Sequence, residues 1–405
     1  MTTVTIDRLI PGGQGIGTLA SGKKIFVWGA LPGETVEVQI TKEKSSYCEG
    51  LASQILNSSK RRSNLRDPCY LATSPWQIMD YAFELEQKSL LVEECFRQAG
   101  IEILTNDLPP VVTDSKAYFY RNKMEYSLYW DNDTNQIELA FHARGTHRKI
   151  PITQSSIERP EVFQEARRLV DQLNAERQSA RDCQSILVRC DQQGNVSSAL
   201  FKKRQSHPKM TPLTDQLLGH QYRYSPNGFF QINLPVYELA LKAIQKHIAT
   251  DQVLDLYAGV GTIGLSVARD RHLTLVETDK SAHAELVTNC EVEATAGRSQ
   301  LRTPKSLPPE PQSNPILAKS EEVLDFITPD TTVILDPPRA GCHPRLIAKL
   351  AQVKSPAIIY LSCNPITQAR DTKQLLEACQ IKLCQPFNFF PRTPHIENLI
   401  VLERK

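Results

Sequence analysis

Through the first 57 residues, apolar and polar side chains alternate in short runs. "VTIDRLI", "KKIFVWGA", "TVEVQITKE" and "EGLASQIL" are separated by the turn-formers "PGGQGIG" and "LPGE". A period of two sends successive side chains to opposite faces of a strand. Closely spaced short strands punctuated by Gly and Pro therefore predict a small OB-like β-barrel over residues 1–58. A basic stretch follows, and the pattern becomes mixed. "YAFELEQKSLLVEECFRQAG" (81–100) reads as a helix ending at a glycine suited to a C-cap, and "IERPEVFQEARRLVDQLNAERQ" (157–178) reads as a second helix. Residues 117–150 read as strands, as do "QSILVRC" and "SSALFKK" around the turn "DQQGNV". Residues 59–219 are thus expected to form a mixed α/β middle domain. From 220 to 405 the pattern changes again. "QVLDLYAGVGTIG", "HLTLVETD", "TTVILDPPRAG" and "AIIYLSCNP" are apolar, β-branched runs that end in polar or Gly/Pro residues. Helical stretches such as "HPRLIAKLAQV" and "TKQLLEACQ" lie between most of them. Strand and crossover in repetition predict an α/β fold with a parallel, doubly wound, Rossmann-like sheet, whose ligands gather at the carboxyl ends of its strands. The Pro-rich "TPKSLPPEPQSNP" (303–315) is expected to be an exposed loop.

With 405 residues, 40% of them hydrophobic and 23% charged, the composition is that of an ordinary globular protein long enough for two or three domains. No apolar run is long enough to span a bilayer and the start lacks a signal-peptide pattern, so no membrane partner and a cytoplasmic location are expected. Ten cysteines without a single CxxC pair point to reduced thiols and no structural zinc. A net charge of +2 does not by itself announce a nucleic-acid partner. Three local clusters do lean that way: "SSKRRSNLR" (58–66), "FYRNK" (119–123) and "FHARGTHRK" (141–149). The last two mix rings that can stack on unpaired bases with cations that hold phosphates.

The strand ends carry the chemistry. "GVGTIG" (259–264) is a G-x-G-x-x-G after a strand, and Glu277 ends the next strand; a tight glycine turn and a following acid suit a ribose-bearing cofactor, NAD and S-adenosylmethionine alike. Asp255, on the strand before the glycines, is expected near the ligand, where its charge suits a sulfonium better than a pyrophosphate. In "LDPPRAG" (335–341) the paired prolines restrict the backbone and hold Asp336 at the sheet edge. Cys363 closes the next strand at that same edge. It is either a small packing residue or, with its pKa lowered, a nucleophile.

Together these stretches resemble the RNA uracil-5-methyltransferases, a family that includes the tRNA T-loop enzyme and the 23S ribosomal RNA enzymes. The resemblance is strongest over 226–264 and 333–405, in "GFFQIN", "LDLYAGVGTIG", "DPPRAG", "IIYLSCNPITQARD" and "FFPRTPHIENLIVL". "GQGIGTLASGKKIFVWGALPGE" resembles the family's accessory TRAM barrel. The resemblance implies that Cys363 adds to carbon 6 of a uracil flipped out of its stack. Carbon 5 then attacks the methyl of S-adenosylmethionine, and Glu397 of "TPHIEN" removes the carbon-5 proton so that the cysteine leaves. It maps cofactor binding onto Gln231, Tyr257, Thr262 (an asparagine in some relatives), Glu277 and Asp336, with Asp336 also near the base. Arg339 and His395 are implied substrate contacts, and Phe230 is expected in the core.

One departure stands out. Many ribosomal RNA members hold a four-iron–four-sulfur cluster on a C-x5-C-G-G-C pattern and a later cysteine. Here "RDPCYLATSPWQIMDY" keeps Cys69 alone, and the later position falls in "ITQSSIE". One thiolate cannot hold a cubane. No metal is expected, and packing must hold the middle domain instead. The barrel favours 23S ribosomal RNA as the partner, with tRNA as the alternative, and a monomer is expected. The competing readings are methylation of an exocyclic amine, which needs no cysteine; an inactive RNA-binding relative; and a nicotinamide-dependent dehydrogenase.

Overall fold

The alternation at the start of the chain closes on itself. The computed structural model describes residues 2–103, 108–144, 146, 148–206, 208–300 and 313–405, without the side chains of 293–300. In it β1 (Thr2–Leu9), β2 (Gly15–Thr18), β3 (Lys24–Trp28), β4 (Thr35–Glu43) and β5 (Tyr47–Asn57) form a closed barrel in the order β1-β2-β3-β5-β4. The β3–β5 pair is parallel and the β1–β4 pair antiparallel. Every second side chain, among them Val4, Ile6, Ile25, Val27, Val36 and Val38, fills the interior.

A short helix α1 (Tyr70–Thr73) leads to α2 (Tyr81–Gln98). Asp80 caps α2 by accepting the Phe83 N–H at 2.7 Å, and Gly100 ends it at φ +78°. Next comes a five-stranded sheet, β10-β9-β6-β7-β8, made of β6 (Lys123–Asp131), β7 (Gln136–His142), β8 (Lys149–Pro151), β9 (Cys183–Cys190) and β10 (Val196–Lys202). It is covered by α3 (Pro160–Ala175). Tyr126, Leu139, Val162, Val170 and Val188 are part of its own core. The hairpin β11 (Leu213–Leu217) and β12 (His220–Tyr224) packs elsewhere. Its Leu213, Leu217, Tyr222 and Tyr224 join the core of the C-terminal sheet, and residue 219 lies in its turn.

That sheet has seven strands in the order β15-β14-β13-β16-β17-β19-β18. They are β13 (Gln252–Leu256), β14 (His272–Glu277), β15 (Ser313–Leu317), β16 (Thr331–Leu335), β17 (Ala357–Ser362), β18 (Cys379–Phe387) and β19 (Glu397–Arg404). β13 to β17 run parallel, and β19 lies antiparallel to both its neighbours. The strands are apolar on both faces, as buried parallel strands must be. Ile359 and Leu361 of β17 with Leu399 and Val401 of β19 face α4 (Leu234–Gln245), while Ile358, Tyr360, Ile400 and Leu402 face the other layer. The second layer holds α7 (Pro344–Val353) and α8 (Pro365–Leu375). It also holds α2, whose Val92 and Phe96 cross from the first half of the chain to join it. The loop-to-helix elements α5 (Thr262–Val267) and α6 (Lys280–Gln300) follow β13 and β14.

Two expectations are corrected here. Of the Pro-rich stretch 303–315, residues 303–312 lie outside the described residues, but 313–315 begin β15. Pro315 is tolerated there because β15 is an edge strand. The helix expected over "TKQLLEACQ" starts earlier and stops sooner. Pro365 at its first position and Asn364 as its cap set α8 at 365–375, and Cys379 and Gln380 already belong to β18.

The surroundings of Cys69 add to the packing expected there. Cys69 is buried and hydrogen-bonds the Gln154 carbonyl at 3.6 Å. Beside it Asp67 accepts the Ser156 hydroxyl (2.6 Å), the Ser156 N–H (2.9 Å) and the Gln77 amide (2.7 Å). A buried carboxylate needs this number of partners to offset its desolvation. The segments 66–77 and 154–158 are therefore stitched by a hydrogen-bonded network, not by apolar contact alone.

Candidate active site

β13 occupies the position where strand order reverses, so the crevice at its carboxyl end is where this fold places ligands. The loop leaving it bends sharply: Tyr257, Gly259 and Gly261 all have positive φ (+65°, +58° and +89°). A Cβ built at Gly259 would meet nothing within 4 Å, so this side of the loop faces open space. Glu277, from the end of β14, ties down the other side. One of its oxygens accepts the Gly259 N–H at 2.8 Å, and the other accepts those of Thr278 and Asp279 at 2.6 Å each. Gly261 caps α5, which places Thr262, buried, at its first turn.

Asp255, expected near the ligand, lies beneath the loop. It is fully buried, and one oxygen accepts the Gly264 N–H at 2.8 Å while the other has no partner. Burial pushes its carboxyl up to about 8, with Asp336 and Glu277 adding to the effect. Its side chain shapes the loop from below because the strand's pleat turns position 255 into the layer under α5. Tyr257 is half-buried, and burial raises its phenol above the ordinary range, with Ser320 and the backbone of His343 opposing.

The "FFQIN" segment is held by a residue that periodicity did not reveal. Arg189 of β9, wholly buried, donates to the carbonyls of Phe230 (2.7 Å) and Gln231 (3.1 Å). Its guanidinium lies 4.6 Å from the centre of the Tyr224 ring, which stacks on Phe230 at 4.0 Å. Phe230 is thus core, as expected. Gln231 is buried at the rim, and Phe229 beside it is 74% exposed.

Cys363, Asp336, Arg339 and Glu397 come together where β16 and β17 end and β19 begins. Cys363 follows β17 and precedes the N-terminus of α8, where unpaired backbone N–H groups favour negative charge. Burial nevertheless pushes its thiol up to about 11. Glu397 and Asp336 push the same way, against a hydrogen bond and positive charge from Arg339. Glu397 opens β19 and is buried. Loss of water raises it well above the carboxylate range, Asp336 adds to this, and Arg339 opposes it. Asp336 is half-buried, and desolvation raises it to about 7.

The loop carrying Asp336 and Arg339 is fastened to α8. Asn364 donates to the Arg339 carbonyl at 2.8 Å, Thr367 donates to the same oxygen at 3.2 Å, and Arg370 donates to the Ala340 carbonyl at 3.1 Å. Asp371 accepts the Cys342 N–H at 2.9 Å and the Tyr360 hydroxyl at 3.0 Å. At Gly341 (φ +81°) any Cβ would lie 2.6–3.0 Å from Arg370, Asp371 and Thr367. "PPRAG" and "NPITQARD" are therefore two halves of one clasp, a pairing that no local pattern announces.

His395 is exposed, and its ring packs edge-on against Phe390. Displacement of water from the ring, with the positive charge of Arg339, Lys88, Arg144 and Arg121, pushes its imidazole down to about 4. The three basic clusters are partly consumed by the fold: Arg62 pairs with buried Glu34 (2.6 Å), and Arg144 lies over Trp28 (4.1 Å). Of the 141–149 cluster, Gly145 and His147 lie outside the described residues.

The raised thiol has a measurable consequence. Alkylation of Cys363 by iodoacetamide, followed by peptide mass spectrometry, should accelerate about tenfold per pH unit between pH 7 and 9, because only the thiolate reacts. A rate that levels off below pH 8 would mean that Arg339 and the α8 N-terminus outweigh burial.

The sequence matches the tRNA (uracil-5-)-methyltransferase family over residues 211–405 and the TRAM domain over residues 2–52. Proteins described as uncharacterized RNA methyltransferases from Bacillus cereus and Gloeobacter violaceus are each 26% identical, with 99% of this chain and 96% of theirs covered. One from Lactobacillus johnsonii is 27% identical over 98% of this chain and 96% of its own. Among solved structures, the Pyrococcus abyssi tRNA (uracil-54, C5)-methyltransferase in complex with S-adenosyl-L-homocysteine superposes with a TM-score of 0.74 at 23% identity, covering 98% of this chain and 99% of that one. That likeness shares the whole fold, barrel included. Residues 211–405 thus carry a tRNA (uracil-5-)-methyltransferase family domain, and residues 2–52 carry a TRAM domain ahead of it.

Proposed function

We propose that this chain methylates carbon 5 of a uridine in structured RNA, with S-adenosylmethionine as the methyl donor. The observation that carries the reading is the convergence of Cys363, Arg339, Asp336 and Glu397 at one sheet edge, next to a glycine loop with an open side. The donor set fits the cofactor. Glu277 retains acceptor capacity for ribose hydroxyls, the open face of Gly259 admits close approach, and Asp336 stands at the same sheet edge with a carboxyl oxygen able to accept a hydrogen bond. Gln231, Tyr257 and Thr262 complete the proposed binding positions. When bound, S-adenosylmethionine supplies an electrophilic methyl group.

The chain's own residues supply the rest. Asp336, titrating near neutrality beside the thiol, takes the proton from Cys363. The sulfur bonds to carbon 6 and electron density moves to carbon 5. Once carbon 5 carries the methyl group, a carboxylate oxygen of Glu397 accepts the carbon-5 proton. The electron pair of that bond restores the 5,6 double bond as the carbon–sulfur bond breaks. Burial, which raises Glu397, makes its ionised form the stronger base. Arg339 steadies the thiolate, and His395, held neutral, offers the RNA a hydrogen-bonding ring without added charge.

We keep 23S ribosomal RNA as one substrate reading, although the barrel alone does not choose the RNA. A second reading, tRNA, is favoured by the full-length likeness to the archaeal tRNA enzyme, which shares that barrel. Labelled S-adenosylmethionine offered with unmodified tRNA and 23S transcripts separately, with nucleoside mass spectrometry of the products, tests both. 5-Methyluridine in one RNA supports the reaction and selects the substrate. A methylated exocyclic amine, or no label in either RNA despite cofactor binding, would overturn the reading.

A further inference from the structure

The barrel touches the loop that leads into the proposed base. The turn between β1 and β2 is closed by two backbone hydrogen bonds, Gly13 N–H to Ile10 (2.7 Å) and Ile10 N–H to Gln14 (3.0 Å). It presents Gly13, at φ +92°, directly to Pro394. A Cβ on Gly13 would lie 2.6 Å from both the Cβ and the Cγ of that proline. Pro394 stands three residues before Glu397. Trp76, 1% exposed, ties the same two partners together: its indole N–H donates to the Gly13 carbonyl at 3.0 Å, and its backbone N–H donates to the Arg392 carbonyl at 3.0 Å. Leu9 and Leu31 of the barrel pack with Trp76, Ile78 and Met79 in one small core. The barrel is also anchored by the Glu34 carboxylate, which accepts Arg62 at 2.7 and 2.6 Å and the N–H groups of Leu31 and Ser59. On its other side the 388–392 segment is clamped by Glu84, which accepts the Arg392 N–H at 3.0 Å, and by Lys88, which donates to the Phe390 carbonyl at 3.0 Å.

We infer that the barrel is a buttress for catalysis as well as a module on the RNA path: through Gly13 and Trp76 it fixes the 391–396 loop and thereby sets where the Glu397 carboxylate stands. A displacement of about 1 Å at a reacting group costs up to about a hundredfold in rate. A rigid contact three residues from the base is the kind that controls such a displacement. Gly13 and Trp76 are positioning residues on this view. The inference rests on Glu397 being the base that frees the enzyme from its product.

The full-length protein tests it. Gly13→Ala, which pushes a methyl into Pro394, and Trp76→Phe, which keeps a six-membered ring but loses the pyrrole half of the indole with its N–H to Gly13, are each measured for kcat, KM for RNA, melting temperature and the fraction of protein trapped as covalent RNA adduct on a denaturing gel. The expected result is a kcat lower by about tenfold with KM for RNA within about twofold of wild type, and an adduct that accumulates because elimination is slowed. If the barrel served only to hold RNA, KM would rise while kcat and adduct stayed as in wild type, and the inference would be overturned; unchanged values throughout would overturn it equally. Where Gly13→Ala does not fold, Trp76→Phe decides on the same criteria. Glu397→Gln is run alongside. Failure of that variant to trap adduct would overturn the assignment of the base and the buttress with it, whereas a trapped Glu397→Gln beside a wild-type-like Gly13→Ala and Trp76→Phe would dismiss the buttress alone.

Discussion

Glu397→Gln should turn the protein into a trap for its own substrate. The amide keeps the size and burial of the carboxyl but cannot accept the carbon-5 proton, so the sulfur of Cys363 stays bonded to carbon 6. A protein–RNA band that survives denaturation and carries the labelled methyl group is expected, with turnover down by about a thousandfold, within the range for removing a general base. Cys363→Ala should remove band and product together, because no other thiol can replace it. Cys342, on the neighbouring loop, is buried and committed to the clasp. Full activity in Cys363→Ala would discard the mechanism, and a Glu397→Gln that turns over normally would assign the proton to another group.

The second large effect is on stability. Glu84 and Lys88 are both fully buried on α2, 3.2 Å apart, and Glu84 also lies 3.7 Å from the Arg392 guanidinium. Glu84→Ala leaves two cations without their counter-charge in a dry interior, a change that costs about 3–5 kcal/mol. A fall of roughly 10 °C in melting temperature should follow. The double variant Glu84→Leu with Lys88→Met should recover part of it by removing one stranded charge. Burial lowers the Lys88 ammonium from 10.5 to about 8, so between those values the unfolded chain holds the proton more often than the folded one. This group therefore adds stability as pH rises through that window. Wild-type melting in Glu84→Ala would show that water reaches the pair.

Much of this was legible in the sequence, for reasons that can be named. The barrel and the parallel sheet are written in side-chain periodicity, and three of the proposed site residues stand at the end of an apolar run, where the polypeptide must leave the sheet. Cys363, Asp336 and Glu277 could be found that way. What stayed hidden depends on contacts between distant segments. Nothing local distinguishes Arg189 from an exposed strand arginine, and α2 has the pattern of any amphipathic helix, although it covers the C-terminal sheet. The bond from Asp255 to the loop was not legible, because a carboxylate before a glycine loop is equally suited to touching a ligand or to bonding the loop from below, and only the pleat decides. The start of α8 was missed because Asn-Pro reads as a turn as readily as it reads as a cap followed by a first helical residue.

The clamp on the 388–392 loop has a bearing on how the protein is made. Lys88 meets Asn388 across 300 residues of sequence, and Val112 adds a bridge to Phe387. At usual rates of synthesis, of about 5–20 residues per second, roughly 15–60 s separate the emergence of these partners. Through that interval α2 carries an acid, a base and an apolar stripe whose cover has not been translated. The barrel can close at once from local pairings, whereas the loop bearing the proposed base takes its place only when the two ends of the fold meet. Acquisition of activity is thereby made the last event of folding.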